Sequence, residues 1–198
     1  EVTFNGKCVE KKDQSAKVTL PEIGVRGTFG NNDALQVTEN CGAEISPPPY
    51  MVGMAEVEID KETGNVELID YVAVVDCGTP INPHLARVQT EGGIAQGIGM
   101  ALFEDIQYTE KGAMANNSLM QYKIPSRLDV GKIRVEFKPS YEKSHPFGAK
   151  SIGEIVIDTP CPAIANAVYN AVGLRVEEMP IKPEKIAMAL SDDCKMYE

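Results

Sequence analysis

Ala55-Glu56-Val57-Glu58-Ile59-Asp60, then Lys61-Glu62-Thr63-Gly64-Asn65, then Val66 to Val75: this stretch decides the fold. Successive side chains of a strand point to opposite faces, so Ala55, Val57 and Ile59 share one face and Glu56, Glu58 and Asp60 the other. The alternation extends from Met51 to Asp60. Residues 61–65 have turn chemistry, and the Val-, Ile- and Tyr-rich run after them is a second strand. Together they predict a β-hairpin. Asp76-Cys77-Gly78-Thr79-Pro80-Ile81-Asn82-Pro83 ends it with two prolines and a glycine, and Asn82 or Pro83 suits the start of a helix.

Moving outward, His84 to Ile106 has helical spacing but carries Gly92, Gly93, Gly97 and Gly99. Each interior glycine costs ~1 kcal/mol relative to alanine, which predicts that another element or a ligand packs closely on this helix. Gly97 to Leu102 is not a dinucleotide fingerprint, because the third glycine is missing and no strand leads into it. Further on, Gln121 to Pro125 reads as a short extended piece, Ile133 to Phe137 as a strand, and Ile155-Val156-Ile157 as strand-like. A helix is expected over Pro162 to Val172 with Gly173 as its stop, a short strand over Leu174 to Met179, and a last helix from Pro183 to about Leu190.

At the other end, Val2-Thr3-Phe4 with Asn5-Gly6 suggests a small hairpin. Thr19 with Glu22 three residues later fits a capped helix start. Residues 28–48 read as loop or linker running into Pro47-Pro48-Pro49. A hairpin, then strands mixed with helices and no βαβ repeat, gives an α+β fold with a mixed β-sheet and packed helices. The division expected is residues 1–45, an N-terminal extension or the end of a preceding lobe, and residues 46–198 as the main domain.

The 198 residues are 43% hydrophobic and 24% charged, ordinary for a globular protein. The net charge of −10 argues against nucleic acid or an anionic membrane as a partner. No apolar run approaches the ~20 residues of a membrane span, and no signal peptide is visible, so a cytoplasmic location is expected. Starting at Glu1 rather than methionine, the chain reads as a processed piece or a fragment. Cys8, Cys41, Cys77, Cys161 and Cys194 lie far apart, which predicts free thiols rather than a disulfide framework or a zinc or iron–sulfur site. With only His84 and His145 besides, a metal here is held by something other than side chains. Asn116-Asn117-Ser118 matches a glycosylation sequon and reads as a turn.

The chemistry concentrates in Pro146-Phe147-Gly148-Ala149-Lys150-Ser151-Ile152-Gly153-Glu154. Glycines let a backbone approach a ligand closely, and successive free N–H groups cradle anions. Glu154 closes the loop and is placed to accept a proton. The same spelling also fits an ordinary turn with a solvated glutamate.

In order along the chain, these stretches resemble the C-terminal part of the molybdenum-binding subunit of the xanthine dehydrogenase and aldehyde oxidase family, from about Ser46 to Leu190. The resemblance rests on residues 55–60, Asp76-Cys77-Gly78 with Ile81-Asn82-Pro83, Gln89-Thr90-Glu91-Gly92-Gly93 with Gln96-Gly97-Ile98-Gly99, and Tyr122-Lys123-Ile124-Pro125. It continues through Gly148 to Glu154, Pro162 to Ala167, Met179-Pro180-Ile181 and Pro183-Glu184-Lys185. Ser151 and His145 depart from the family's pattern, where glycine is expected.

The resemblance implies a molybdenum–molybdopterin cofactor, with the cytosine dinucleotide among its forms, whose pterin sulfurs hold the metal. It implies Glu154 as general base, taking the proton of an oxygen nucleophile that attacks an electron-poor carbon; a carboxylate suits this, and desolvation beside an apolar pocket raises its basicity. Lys150, Ser151, Ile152 and Gly153 would lie against the pterin, and the amide of Gln89 would hydrogen-bond it. Thr79, Pro80, Ile81, Asn82, Pro83, His84 and Leu85 would meet the pyrophosphate or nucleotide end through a helix N-terminus. The implied partners are the upstream half of the molybdenum subunit and the iron–sulfur and FAD domains or subunits. The implied activity is hydroxylation of a purine or related N-heterocycle, with an aldehyde-oxidising enzyme or a non-catalytic module of the same fold as alternatives. A serine hydrolase is remote, since no G-x-S-x-G elbow occurs.

Overall fold

The computed structural model describes residues 2–30, 38–40, 42 and 45–191. The chain divides into two units, Glu1–Gly42 and Ala43–Glu198. In the first, strands β1 (Val2–Phe4), β2 (Cys8–Lys11) and β3 (Lys17–Thr19) form an antiparallel sheet in sequence order. The expected hairpin turn is there. Gly6 adopts φ +84°, and the Asn5 side chain accepts from the N–H groups of Lys7 and Cys8 at 3.1 and 3.0 Å. Helix α1 (Leu20–Phe29) starts on the expected capping box: Thr19 N–H donates to Glu22 Oε2 at 2.8 Å and Glu22 N–H to Thr19 Oγ1 at 3.4 Å. Thr28 and Phe29, read as loop, are helical. Residues 31–37, 41, 43 and 44 of the expected linker lie outside the described residues, as do Cys41 and Cys194; Cys8, Cys77 and Cys161 are free thiols.

The second unit is built on the hairpin. Strands β4 (Tyr50–Ile59) and β5 (Val66–Asp76) pair antiparallel, and β6 (Lys132–Phe137) joins β5 in parallel, giving the expected mixed sheet in the order β4-β5-β6. The register opposes Glu56 to Asp70 but Val57 to Leu68, leaving Ile69 as an extra residue in β5. This bulge shifts the alternation by one. Val66 and Leu68 before it, and Tyr71, Ala73 and Val75 after it, are therefore all buried. Because β6 is parallel to β5, the chain must return to the starting end between them. The loops after β5 and after β6 consequently leave the sheet at the same edge, where Lys138 N–H still donates to the Val75 carbonyl at 2.9 Å.

The crossover carries helix α2 (Pro83–Leu102), capped by Asn82 and started by Pro83 as expected. It ends before Ile106, because the N–H groups of Phe103 and Glu104 both turn back to the Gly99 carbonyl, at 2.9 and 2.8 Å. Ile94 and Ile98 are fully buried, and burial of this kind contributes about 2 kcal/mol for each side chain. The glycines answer the question their cost raised. A Cβ on Gly93 would collide with Val156, and one on Gly97 would lie 2.6 Å from Pro160 Cγ. The close partners are helices α3 (Ile155–Asp158) and α4 (Pro160–Val172). Gly92, by contrast, faces open space.

Three sequence expectations need correction. Ile155-Val156-Ile157 is helical, because Val156 fits onto Gly93 and that packing overrides the β preference of the run. Leu174 to Glu177 alternates in burial like a strand, Glu178 and Met179 are exposed, and no described strand runs beside the segment to form a ladder. Gln121 to Pro125 is irregular too, anchored by the Tyr122 hydroxyl on Glu104. Helix α4 ends at Gly173, φ +76°, and α5 covers Pro183–Leu190, both as read. Asn116 of the sequon is buried, receiving a hydrogen bond from Gln107 N–H at 3.0 Å and donating to the Asp105 carbonyl at 2.6 Å.

The two kinds of glycine in α2 make opposite predictions. Gly92→Ala should stabilise the chain by about 0.5–1 kcal/mol, whereas Gly97→Ala should destabilise it by about 1–3 kcal/mol through overpacking against Pro160. Urea unfolding midpoints of the two variants check both signs.

Candidate cofactor-binding site

The candidate site lies where the loops after β5 and β6 emerge. Asp76 ends β5, and two residues later its carboxylate accepts the Gly78 N–H at 2.9 Å, closing an Asx turn. Gly78 has φ +68° and sits against the second loop, where an added Cβ would strike the Gly148 carbonyl. No other residue type combines that dihedral with that approach. Gly78 and Ala149 thus form an antiparallel bridge. Thr79 N–H donates to Gly148 O at 2.8 Å and Lys150 N–H to Cys77 O at 2.7 Å. Phe147, in a short 3-10 turn spanning Pro146–Gly148, also has positive φ, +59°. This is a conformation that bulky residues rarely adopt.

The joined loops and α2 enclose an open cleft of about 330 Å³. Of the residues singled out in the sequence, Thr79, Ile81, Asn82, Leu85, Gln89, Lys150 and Ile152 line it. Pro80, Pro83, His84, Ser151, Gly153 and Glu154 are their chain neighbours and do not line it. Ala86 and Ala149 complete the wall; neither was among the expected site residues, since small apolar residues carry no chemistry of their own. A separate cleft of about 280 Å³ beside Leu174 to Glu178 and Ile181 to Ile186 contains none of the expected site residues. Its lysines are already paired, Lys182 with Asp105 at 2.9 Å and Lys185 with Glu178.

Hydrogen-bond accounting separates committed from uncommitted groups. The helix N-terminus is not the free anion site that was expected. Pro83 has no N–H, His84 and Leu85 both donate to Asn82 Oδ1 at 3.1 Å, and Ala86 donates to Asn82 O at 2.9 Å. Lys150 is committed as well. Its ammonium lies 2.8 Å from Asp76 Oδ2, 3.4 Å from the Pro48 carbonyl and 5.1 Å from the centre of the Tyr50 ring. Its side chain is only 7% exposed. Asp76 further accepts from the Ser140 hydroxyl at 2.7 Å. Burial works to raise the Asp76 carboxyl, but hydrogen bonds from Lys150, Ser140 and Gly78 N–H outweigh it and hold the pKa below its ordinary value of 3.8.

By contrast, the N–H groups of Ser151, Ile152, Gly153 and Glu154 donate to no described protein group, and the exposed amide of Gln89 is likewise unengaged. Glu154 is solvent-exposed at the start of α3, and its carboxylate has no hydrogen-bond partner among the described residues. A run of unspent backbone donors beside a glycine-tightened cleft, with a free amide opposite, suits a polar anionic organic ligand. The residues present therefore fit the pterin. Among the described residues, no group of three or more His, Cys, Asp or Glu could hold a metal ion.

A family model described as "Molybdopterin cofactor-binding domain" matches residues 1–131. The chain belongs to this family. The match starts at the first residue, so it takes in the part of the chain that the resemblance covered least. Among curated relatives of this molybdopterin-binding family member, the "Probable hypoxanthine oxidase XdhD" of Escherichia coli (strain K12) is 36% identical over 183 residues. That alignment covers 90% of this chain and 19% of the relative. The "Aldehyde oxidoreductase molybdenum-binding subunit PaoC" of the same organism is 36% identical over 176 residues, 88% of this chain and 24% of the relative. The chain thus spans about a fifth to a quarter of the length of these proteins. The crystal structure of quinoline 2-oxidoreductase from Pseudomonas putida 86 superposes on 97% of the chain and 26% of its own, with TM-score 0.78 and 26% identity. The Cu,Mo-CO dehydrogenase shares the fold over the whole chain and 26% of its own, with TM-score 0.83 and 21% identity. The chain is a part of a molybdopterin-binding subunit of the xanthine dehydrogenase type.

Losing the Asp76 carboxylate strands a nearly buried lysine charge, so Asp76→Asn should cost about 2–4 kcal/mol at neutral pH. The folded carboxyl titrates below 3.8. Its contribution is therefore complete above the unfolded-chain pKa and is lost as the pH falls through 3.8 and below. Urea unfolding at several pH values between 2 and 7 should show this acid-side slope flattened in Asp76→Asn.

Proposed function

We propose that this chain is the C-terminal portion of a molybdenum hydroxylase subunit that hydroxylates a purine or related N-heterocycle with oxygen from water. One observation carries the reading: Ile152, with an unspent backbone donor, and the free Gln89 amide line one cleft, and the unspent donors of Ser151, Gly153 and Glu154 adjoin it in the chain, in a member of the molybdopterin-binding family. When bound, the cofactor supplies the redox centre. In this proposal the backbone of residues 150–153 and the Gln89 amide bind and orient its pterin. The Thr79-to-Leu85 turn faces the phosphate end, where the unengaged N–H groups of Ile81 and Asn82 take the part first given to the capped helix terminus. Glu154, at the end of the donor run, holds and moves the proton released as the substrate carbon gains oxygen.

The purine lean is supported by the 36% identity to a probable hypoxanthine oxidase and by likeness to a quinoline oxidoreductase. An aldehyde substrate is the second reading, favoured by the equal identity to an aldehyde oxidoreductase subunit. Assaying the complete enzyme on xanthine, hypoxanthine and an aromatic aldehyde separates them: turnover of a purine alone supports the first, turnover of the aldehyde alone the second. The cofactor is proposed as molybdenum–molybdopterin, with the cytosine dinucleotide form settled by nucleotide release and chromatography. The proposed partners are the upstream part of the subunit and the iron–sulfur and flavin domains or subunits.

Two outcomes test the role of Glu154. In the complete enzyme, Glu154→Gln should lower kcat by about 10²–10⁴-fold, the usual worth of a positioned base, with molybdenum content retained; an unchanged rate would favour a non-catalytic module. The isolated 198 residues should bind cofactor poorly and show no hydroxylation, measured by metal analysis and product formation.

A further inference from the structure

We infer that Lys150 and Asp76 form a positioning pair, in which the lysine braces the cofactor loop from behind instead of binding the cofactor with its charge. This rests on the proposed function for the identity of the loop's ligand, and it assigns the loop's one cation a different task. Within the cleft wall, Lys150 contributes to the lining, yet its ammonium is turned to Asp76, the Pro48 carbonyl and the Tyr50 ring. With 7% of the lysine side chain and 22% of the aspartate side chain exposed, leaving this pair to meet an anion would break a largely desolvated ion pair.

The pair joins segments far apart in sequence. Asp76 gathers Gly78 N–H, the Ser140 hydroxyl and the Lys150 ammonium on one carboxylate. Lys150 in turn reaches the segment leading into β4. Its own backbone N–H is fixed by the Cys77 carbonyl, so both ends of the residue are pinned to the turn after β5. Immediately beyond it come the four unspent donors of Ser151 to Glu154. These donors make no protein hydrogen bonds of their own, so their direction depends on where Lys150 leaves the chain. Asp76 thereby acts through Lys150 on Glu154, without touching the ligand.

The test uses the full-length subunit with its natural partners, expressed with and without molybdate. In cofactor-free protein, amide hydrogen exchange of the Ser151-to-Glu154 segment should speed up by about tenfold or more in Asp76→Asn and in Lys150→Met, as expected when a local brace is lost. The double variant should exchange no faster than the faster single one, because the partners act through each other. Lys150→Arg should restore most of the protection, and Asp76→Glu serves if Asp76→Asn does not fold. In loaded enzyme the singles should lower kcat with KM nearly unchanged. Unaltered exchange in the singles overturns the inference. So does loss of pterin from Lys150→Met with loop exchange unchanged, which would make the ammonium a direct ligand. If wild-type protein holds no molybdenum or pterin, the proposed function fails, while the exchange measurements still decide the brace.

Discussion

Everything at the candidate site depends on the contact between the turn after β5 and the loop after β6. Gly78 brings the two backbones together at a dihedral that other residues resist, and two backbone hydrogen bonds zip them over Cys77 to Thr79 and Gly148 to Lys150. The ion pair of Asp76 and Lys150 locks the junction from the inner side. Energetically this is an expensive place to put a lysine. A charge so far out of water is tolerable only with its counter-charge and hydrogen bonds in place. The junction is therefore held by mutual dependence: the glycine permits the approach, and the charges penalise leaving it.

Much of the architecture was legible because it is written locally. Alternation fixes β4, and turn residues fix its hairpin with β5. Asn82 and Pro83 announce α2, Gly173 stops α4, and the limits of α5 follow from Pro183 and the apolar run after it. The misreadings share one cause. Val156 is β-branched and sits in a run that prefers strands, but a glycine in a helix more than sixty residues earlier offers it a socket. Leu174 and Val176 alternate as a strand would, but a strand also needs a neighbour.

The site was legible in part. Gln89, Thr79, Ile81, Asn82, Leu85, Lys150 and Ile152 line one cleft, while Pro80, Pro83, His84, Ser151 and Gly153 stand beside it in the chain. What sequence could not show is which way a side chain is spent. Lys150 looks like an anion ligand in any reading of its loop, and only the position of Asp76, seventy-four residues away, turns it inward. The spelling Asp76-Cys77-Gly78 was a usable hint, since an aspartate two residues before a glycine often closes a turn on its own carboxylate. Asn82 likewise caps its helix so completely that the expected phosphate donors are consumed.

The parallel pairing of β6 with β5 has a consequence for how such a chain can change. Both connections leave the sheet at one end, while the hydrophobic packing lies on its flank. Residues 139–146 contribute exposed polar groups and a turn, and none of the fully buried side chains. Rewriting that connection would reach the cleft through the junction, since Ser140 donates to Asp76 and Glu142 N–H to the Gly148 carbonyl, while leaving the fully buried side chains in place. Within one scaffold, binding preference and foldability are thus free to evolve on separate residues.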